Sequence, residues 1–313
     1  MNAVTAAITT YNRAAFLPGA LESAFAQTLE PDEILVVDDG STDDTEAVLA
    51  PYRDRIRYVR QENEGRSGAR NRAVRETRTP LISFLDSDDR WAPDKLERQV
   101  PVLADRRVGM VHGHVDLIDE LDRPLSEETE RHHELFSRAH RNGVTYAGYA
   151  FDCRCFSSAL TARVDAIEQA GLYDPALLLD DYDLYLRLAL ETRIVFLELP
   201  AVAVYRHHPG QMTTYELTMG QIQTAEKHLA LLDRRGDVPD ARAARRNFLL
   251  MLARSWAVLG DQRRSRRRLL QALRLDPTLL REPWIVRRLL ASALKTPFRN
   301  DRALPGCDGR ARG

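Results

Sequence analysis

Glu33-Ile34-Leu35-Val36-Val37-Asp38-Asp39-Gly40 decides how the chain is read. Four consecutive apolar residues, mostly β-branched, close on two carboxylates and a glycine. A half-exposed strand alternates apolar and polar residues, whereas an unbroken apolar run is a strand covered on both faces, as in a parallel sheet. Upstream, Val4 to Ile8 is a short apolar run closed by Thr9-Thr10-Tyr11-Asn12-Arg13. Between the two, Phe16, Leu17, Ala20, Leu21, Ala24 and Phe25 recur at the helical period, which predicts a helix within Ala14 to Thr28.

Downstream the alternation continues. Asp43 to Leu49 reads as helix, Ile56 to Val59 as strand and Ser67 to Arg78 as helix, with Ser67 a candidate cap. Pro80 ends that helix, Leu81 to Leu85 is a strand reaching Asp86, Pro93 to Leu103 a helix and Val108 to Val111 a strand. Strand and helix in alternation predict an α/β fold with a mostly parallel central sheet, whose ligands bind beyond the strands' carboxyl ends. Residues 121 to 142, rich in Glu, His and Arg, read as a mobile surface excursion. Thr145 to Leu160 reads as strands that include Cys155-Phe156. Arg163 to Ala170 and Asp181 to Leu190 read as helices, Ile194 to Leu197 and Val202 to Tyr205 as late strands.

From Glu216 the period is helical to about Leu294, and Ala253 to Leu275 resembles one tetratricopeptide-like helical hairpin with Gly260 at its turn. This divides the chain into a first domain over 1–214, with halves at 1–111 and 112–214. A basic helical region follows over 215–300, and then a tail over 301–313 that reads as disordered.

With 313 residues, 44% of them apolar and 29% charged, the composition is that of a globular protein with a sizeable core. Three cysteines make no disulfide framework, which favours a reducing compartment, and Cys153-x-Cys155 is too sparse for a zinc site. The first residues do not read as a signal peptide, and no apolar stretch is long enough to span a bilayer. The net charge of −1 hides an asymmetry: residues 241–313 hold 18 Arg and Lys against 5 Asp and Glu. The acidic front and basic tail suggest two functional surfaces.

Five clusters carry possible chemistry. Phe84-Leu85-Asp86-Ser87-Asp88-Asp89 crowds three carboxylates at a strand end, where a hard divalent cation would relieve their repulsion. Exposed loops hold the same pattern by chance. Asp38-Asp39-Gly40-Ser41 offers acceptors for a base or ribose, though a plain strand-end turn explains it equally well. Asn63-x-Gly65 with Arg66, Ser67 and Ala69-Arg70-Asn71 combines permissive backbone with cations suited to phosphate, or is a capped surface helix. In Asp180-Asp181-Tyr182-Asp183 a carboxylate could cap a helix or act as a general base. Tyr205-Arg206-His207-His208 could hold a metal or phosphate contact. No Walker lysine motif and no G-x-G-x-x-G element is present, which argues against nucleoside-triphosphate hydrolysis and hydride transfer.

In this order, together with Trp91 and Gly171-x-Tyr173-Asp174, these elements resemble the family 2 inverting glycosyltransferases of GT-A fold, over roughly residues 4 to 214. The resemblance implies that Thr10, Tyr11 and Asn12 line the nucleotide and that Asp39 holds uracil or ribose. It places Arg70 near the donor phosphates and matches Asp86, a donor-binding residue, and Asp88 to the aspartates of the metal motif. It assigns Asp88 to a Mn2+ or Mg2+ ion, with His208 a further metal or phosphate contact, and Asp181 to the general base. Asp180, Tyr182 and Tyr173 fall on the acceptor side, where Tyr146, Tyr149 and Phe151 could also stack on sugar rings. Two departures stand out: Asp180 replaces the family's usual Glu, and Ala73 a frequent Gly.

The expected reaction moves a sugar from a nucleotide sugar, with UDP-sugar the first choice, to a hydroxyl of a glycan, lipid-linked or polysaccharide acceptor. Water as acceptor would make the chain a hydrolase, and no transfer at all a binding protein. The expected location is cytoplasmic, with peripheral contact at the inner face of a membrane through Arg263, Arg264, Arg266, Arg267 and Arg268 near Trp256 and Trp284. No nucleic-acid recognition motif is present.

Overall fold

The computed structural model describes residues 3–141, 143–283, 285, 286 and 289. Two compact units emerge. The first comprises residues 1–144, 154–176 and 183–211; the second comprises 145–153, 177–182 and everything from Met212 onward.

Among the described residues the first unit is built on ten strands: β1 (Val4–Thr10), β2 (Glu33–Asp38), β3 (Arg57–Arg60), β4 (Leu81–Asp86), β5 (Arg90–Trp91), β6 (Val108–Gly113), β7 (Val115–Ile118), β8 (Thr161–Arg163), β9 (Arg193–Leu197) and β10 (Ala203–Arg206). Seven form one sheet in the order β3-β2-β1-β4-β8-β6-β9, and β5-β10-β7 form a small second sheet. In the large sheet every pairing is parallel except the two made by β8. Ile8, Val36 and Leu85 are almost wholly buried with Leu17 and Leu21 of the helix Leu17–Phe25. Each such side chain contributes about 1.5–3 kcal/mol by leaving water. The register puts Thr10 opposite Asp38 and Thr9 opposite Asp86. The polar ends of β1, β2 and β4 therefore lie side by side.

Two sequence expectations fail here. Residues 121–142 are not simply a surface excursion: Ser126–His140 is a helix. Its buried residues are His132, Phe136 and His140, one turn apart, so three inward positions suffice and the charged residues stay exposed. The histidines serve as aromatic packing: ring centroids lie 4.2 Å apart for His132–Phe136, 4.3 Å for His140–Phe196 and 4.8 Å for His114–Phe196. The strands expected over 145–160 are likewise absent. Tyr146–Phe151 is a helix whose first turn is capped by the Thr145 hydroxyl, which accepts from the Gly148 N–H at 3.0 Å. Local capping outweighs the strand preference of its aromatic residues. Cys155-Phe156 lies outside any strand, and the sheet receives only Thr161–Arg163.

The buried histidines are expected to make the first unit acid-labile. Burial, then the charges of Arg154, His133, His114 and His207, lower the His132 pKa to about 3. Burial also depresses His112, helped by His140 and His114, and His114 despite its partner Glu198 and nearby Asp116. A histidine that stays neutral when folded but titrates near 6.5 when unfolded leaves stability intact above that pH. The stability is lost as pH falls toward the folded value. His132 alone should remove about 2 kcal/mol between neutrality and pH 5. Thermal melts across that range should show the midpoint falling with acid, and His132→Phe should flatten the slope. An unchanged slope in that variant would refute the assignment.

The second unit is helical, with helices Thr214–Arg234, Ala241–Val258 and Gln262–Leu275. Thr213 and Glu216 form a capping box at the start of the first. The other two form an antiparallel hairpin. Arg242 Nη2 donates to the Leu275 carbonyl at 2.7 Å and Arg246 pairs with Asp276 at 2.8 Å, while the Ser265 hydroxyl reaches the Ala253 carbonyl at 2.6 Å. Gly260 turns the chain at φ +82° and Asp261 caps the next helix. Leu249, Leu250, Ala253, Leu269, Ala272 and Ile285 make its core. Among the described residues no helix is long and apolar enough to cross a membrane. Trp284, Cys307 and the expected disordered tail lie outside the described residues.

Candidate functional site

The loop after β1 is tied to the loop after β2. Asn12, at φ 51°, gives its N–H to Ser41 Oγ at 3.0 Å, its carbonyl accepts from Arg13 Nη1 at 3.3 Å, and its side-chain oxygen accepts from the Thr42 N–H at 2.8 Å. Asp38 is fully buried and accepts from the Ser41 N–H and the Tyr58 hydroxyl. It is therefore a scaffold residue; Asp39, also buried, is bonded through one carboxylate oxygen only. Asp39 Oδ1 accepts from Gln61 Nε2 at 2.7 Å and the Glu64 N–H at 2.9 Å. Its Oδ2 has no partner among the described residues. Gly40 is required: its φ is +79°, and a Cβ there would come within 3.0 Å of the Asn63 backbone nitrogen. The Thr10 hydroxyl is buried and has no hydrogen-bond partner among the described residues. Such an atom marks a place for an absent partner. Tyr11 is 47% exposed beside it in sequence.

The three carboxylates after β4 part company. Asp86 accepts from Arg70 Nη2 at 3.1 Å, and Arg70 is buried on the helix Gly65–Glu76. That helix starts two residues before Ser67, so Ser67 is inside it rather than its cap. Asp88 Oδ2 lies 2.9 Å from His208 Nε2 and 3.5 Å from Arg13 Nε. Asp89 turns into the core, where it accepts from the Ser158 hydroxyl at 2.6 Å and the Arg206 N–H at 3.0 Å. Burial, then the charges of Asp88 and Asp86, push the Asp89 carboxyl well above its usual range. Burial also opposes ionisation of Asp88, but the bond to His208 and the Arg13 charge outweigh it and hold its pKa below the usual value.

Arg206 does the fastening. Its Nε donates to the Asp88 carbonyl, its Nη1 to the Asp119 carbonyl, and its Nη2 pairs with Asp122 at 2.6 Å. With Asp89 gripping its backbone, Arg206 carries the end of β10 against the Asp88 loop and brings His208 to Asp88. His208 also stacks on Phe16, centroids 5.6 Å apart. Arg13, Arg206 and Ser158 were not singled out as site residues from sequence. Arg13 and Arg206 stand inside quoted motifs, whereas nothing in the sequence marks Ser158.

Among the described residues no three His, Cys, Asp or Glu side chains converge as a ready-made metal cage. The donor set at Asp88 and His208 still suits a hard or borderline divalent cation, one carboxylate oxygen and one imidazole nitrogen. Two ligands each about 2.1 Å from an octahedral ion sit roughly 3.0 Å apart, close to the separation of this pair. The Gly210 N–H donates to His208 Nδ1 at 3.1 Å, which leaves the ring proton on Nε2, facing Asp88. Ligation by Nε2 requires the other tautomer and loss of that Gly210 bond.

The expected acceptor-side residues are not open surfaces. Tyr173 is 2% exposed, edge-on to Phe84, and held by reciprocal bonds of 2.8 Å between its backbone and the Asn71 amide. Stacking on a sugar would need that face free, so Tyr173 is corrected to a core residue. In the second unit Asp180 is fully buried, Tyr182 is buried with its hydroxyl donating to the Tyr149 carbonyl, and Tyr146 and Tyr149 are buried as well. Of the aromatic residues expected there only Phe151 is well exposed, at 46%. Asp181 is half-buried in the first turn of the helix Asp180–Glu191. Its neighbour Asp183 is fully buried and paired with Arg187 at 2.7 Å.

The model of Glycosyl transferase family 2 matches residues 5–164, just over half of the chain. The chain belongs to that family. Among relatives, an uncharacterized glycosyltransferase of Nostoc sp., alr2836, is 33% identical over 178 residues, 55% of this chain and 54% of its own length. An Escherichia coli protein named UDP-Glc:alpha-D-GlcNAc-diphosphoundecaprenol beta-1,3-glucosyltransferase WfgD is 33% identical over 111 residues, 35% of this chain and 44% of its own. The chain thus spans about half the length of these family 2 relatives. Among solved structures, S. aureus TarS 1–349 in complex with UDP-GlcNAc superposes with TM-score 0.65 at 17% identity, over 95% of this chain and 93% of that one. Mannosyltransferase PcManGT from Pyrobaculum calidifontis, in complex with GDP-Man and Mn2+, gives 0.62 at 20% identity, over 96% and 88%. The two structures agree with the family 2 chain in fold: the GT-A sheet, followed by a helical region.

Proposed function

We propose that this family 2 chain is a metal-dependent inverting glycosyltransferase that uses a nucleotide diphosphate sugar, first of all a UDP-sugar. The observation that carries the reading is the edge formed by β1, β2 and β4. There the unsatisfied Thr10 hydroxyl, the open oxygen of Asp39, the Arg70–Asp86 pair and the Asp88–His208 pair all lie at strand ends. Asp39 and Thr10 would bind the nucleoside, with Tyr11 and Asn12 completing that loop. Arg70 would hold the diphosphate from the side of Asp86. Asp88, with His208 in its second tautomer, would hold the cation, Mn2+ or Mg2+. A bound divalent cation neutralises charge that builds on the departing diphosphate.

Asp181 would be the base. The acceptor hydroxyl oxygen attacks the anomeric carbon as the bond to the diphosphate oxygen breaks, and the hydroxyl proton passes to the Asp181 carboxylate. One back-side displacement inverts the anomeric centre, so no second catalytic carboxylate is needed. A glycan or lipid-linked acceptor is favoured by the name of the E. coli relative, which acts on a diphosphoundecaprenol-linked sugar. The same name supports a uridine donor. On this reading a transferase domain would span 1–214, with the basic helical region following it.

The donor assignment is tested by thermal shift with a set of nucleotide sugars in manganese, then in magnesium. A UDP-sugar should stabilise the wild type and not Asp39→Ala. Stabilisation by a GDP-sugar, with UDP-sugars inert, would overturn the donor while leaving the reaction class.

A further inference from the structure

The helix Gln262–Leu275 contains six arginines and no acidic residue. Its inner side is fixed by Ser265, Leu269 and Ala272, all buried against the preceding helix. At 3.6 residues per turn, Arg263, Arg266, Arg267, Leu270 and Arg274 fall on one outward arc of about 100°. All five are exposed, Leu270 at 40%. The remaining two arginines have partners: Arg268 pairs with Glu226 and Arg264 with Asp261, the latter also lying over Trp256. Among the described residues none of the four outward arginines forms an ion pair or side-chain hydrogen bond.

Such an arrangement is unfavourable by itself. Like charges three and four residues apart on a helix repel, whereas a face that only meets water usually alternates signs. We propose that this face docks the protein on an anionic phospholipid bilayer. Guanidinium groups present paired donors that fit phosphate oxygens, and each basic residue near a charged leaflet adds to binding. Leu270, in the middle of the arc, favours a bilayer over a nucleic acid: an aliphatic side chain gains by entering the headgroup boundary, and a sugar-phosphate backbone offers it nothing equivalent. Nothing in this inference depends on the donor or the base.

The test uses the full chain, without donor, in co-sedimentation with phosphatidylcholine vesicles that contain or lack phosphatidylglycerol. Binding should require the anionic lipid and weaken steeply with salt. Changing the four residues together, Arg263→Gln, Arg266→Gln, Arg267→Gln and Arg274→Gln, should lower the partition coefficient roughly 100-fold or more. The corresponding four Arg→Lys changes should keep most of it. Both variants should retain the wild-type melting temperature, which separates lost docking from lost fold. Equal binding to neutral vesicles, or undiminished binding of the glutamine variant, would overturn the proposal. So would binding to duplex DNA with none to anionic vesicles. Each result stands apart from the transferase reading, which is measured on soluble donor.

Discussion

Asp88→Ala is expected to lower sugar transfer by about 10^3-fold or more, because it removes the anionic ligand that would hold the divalent cation against the diphosphate. Donor affinity should fall with it, since a cation held there would neutralise diphosphate charge. Stability should change little. Asp88 is partly exposed, and its partners are His208 and the partly exposed Arg13. Asp89 lends a contrast. It is the buried carboxylate, and its bonds to Ser158 and the Arg206 backbone make it a fastening of the loop. Steady-state kinetics with a soluble acceptor, paired with a thermal melt, checks this. An Asp88→Ala enzyme that turns over normally in chelator would dismiss the metal assignment.

Asp181→Asn should lower kcat by about 10^2- to 10^4-fold, the usual range for loss of a positioned general base. Donor affinity should be held, because the proposed role concerns the acceptor proton only. Asparagine keeps size and helix-start hydrogen bonding, including acceptance from the Tyr182 N–H, now made by the carboxylate at 2.7 Å. The neighbouring carboxylates cannot substitute: Asp180 is fully buried and Asp183 is locked to Arg187. Single-turnover rates and donor titration separate the two effects. A fall in donor affinity with kcat preserved would place Asp181 at the donor instead.

Much of this site was legible because apolar strands announce themselves. Ile34 to Val37 and Leu81 to Leu85 are continuous apolar runs but for Ser83, and the polar residues directly after them must lie at one edge of a parallel sheet. What each carboxylate does there was not legible. Asp86, Asp88 and Asp89 look alike in sequence, and their fates are decided by Arg70, His208 and Ser158, distant in the chain. Local pattern carries no information on such pairings. The helix Ser126–His140 was missed for a related reason. Histidine counts as polar in a periodicity argument, yet His132 and His140 pack as neutral rings against Phe136 and Phe196. Lys95 is another case. It is wholly buried, its ammonium surrounded by Ser83, Gln99, Thr161 and the Leu160 carbonyl, with burial pushing its pKa well down. Nothing in the local sequence marks it as buried.

The measurement that bears most directly on the whole reading is calorimetric titration of a UDP-sugar into the protein, in manganese and again in chelator, with wild type and Asp88→Ala. The account predicts saturable binding to the wild type in manganese, with loss of most of that affinity in chelator and in the variant. Binding of equal strength in chelator and in Asp88→Ala would contradict it.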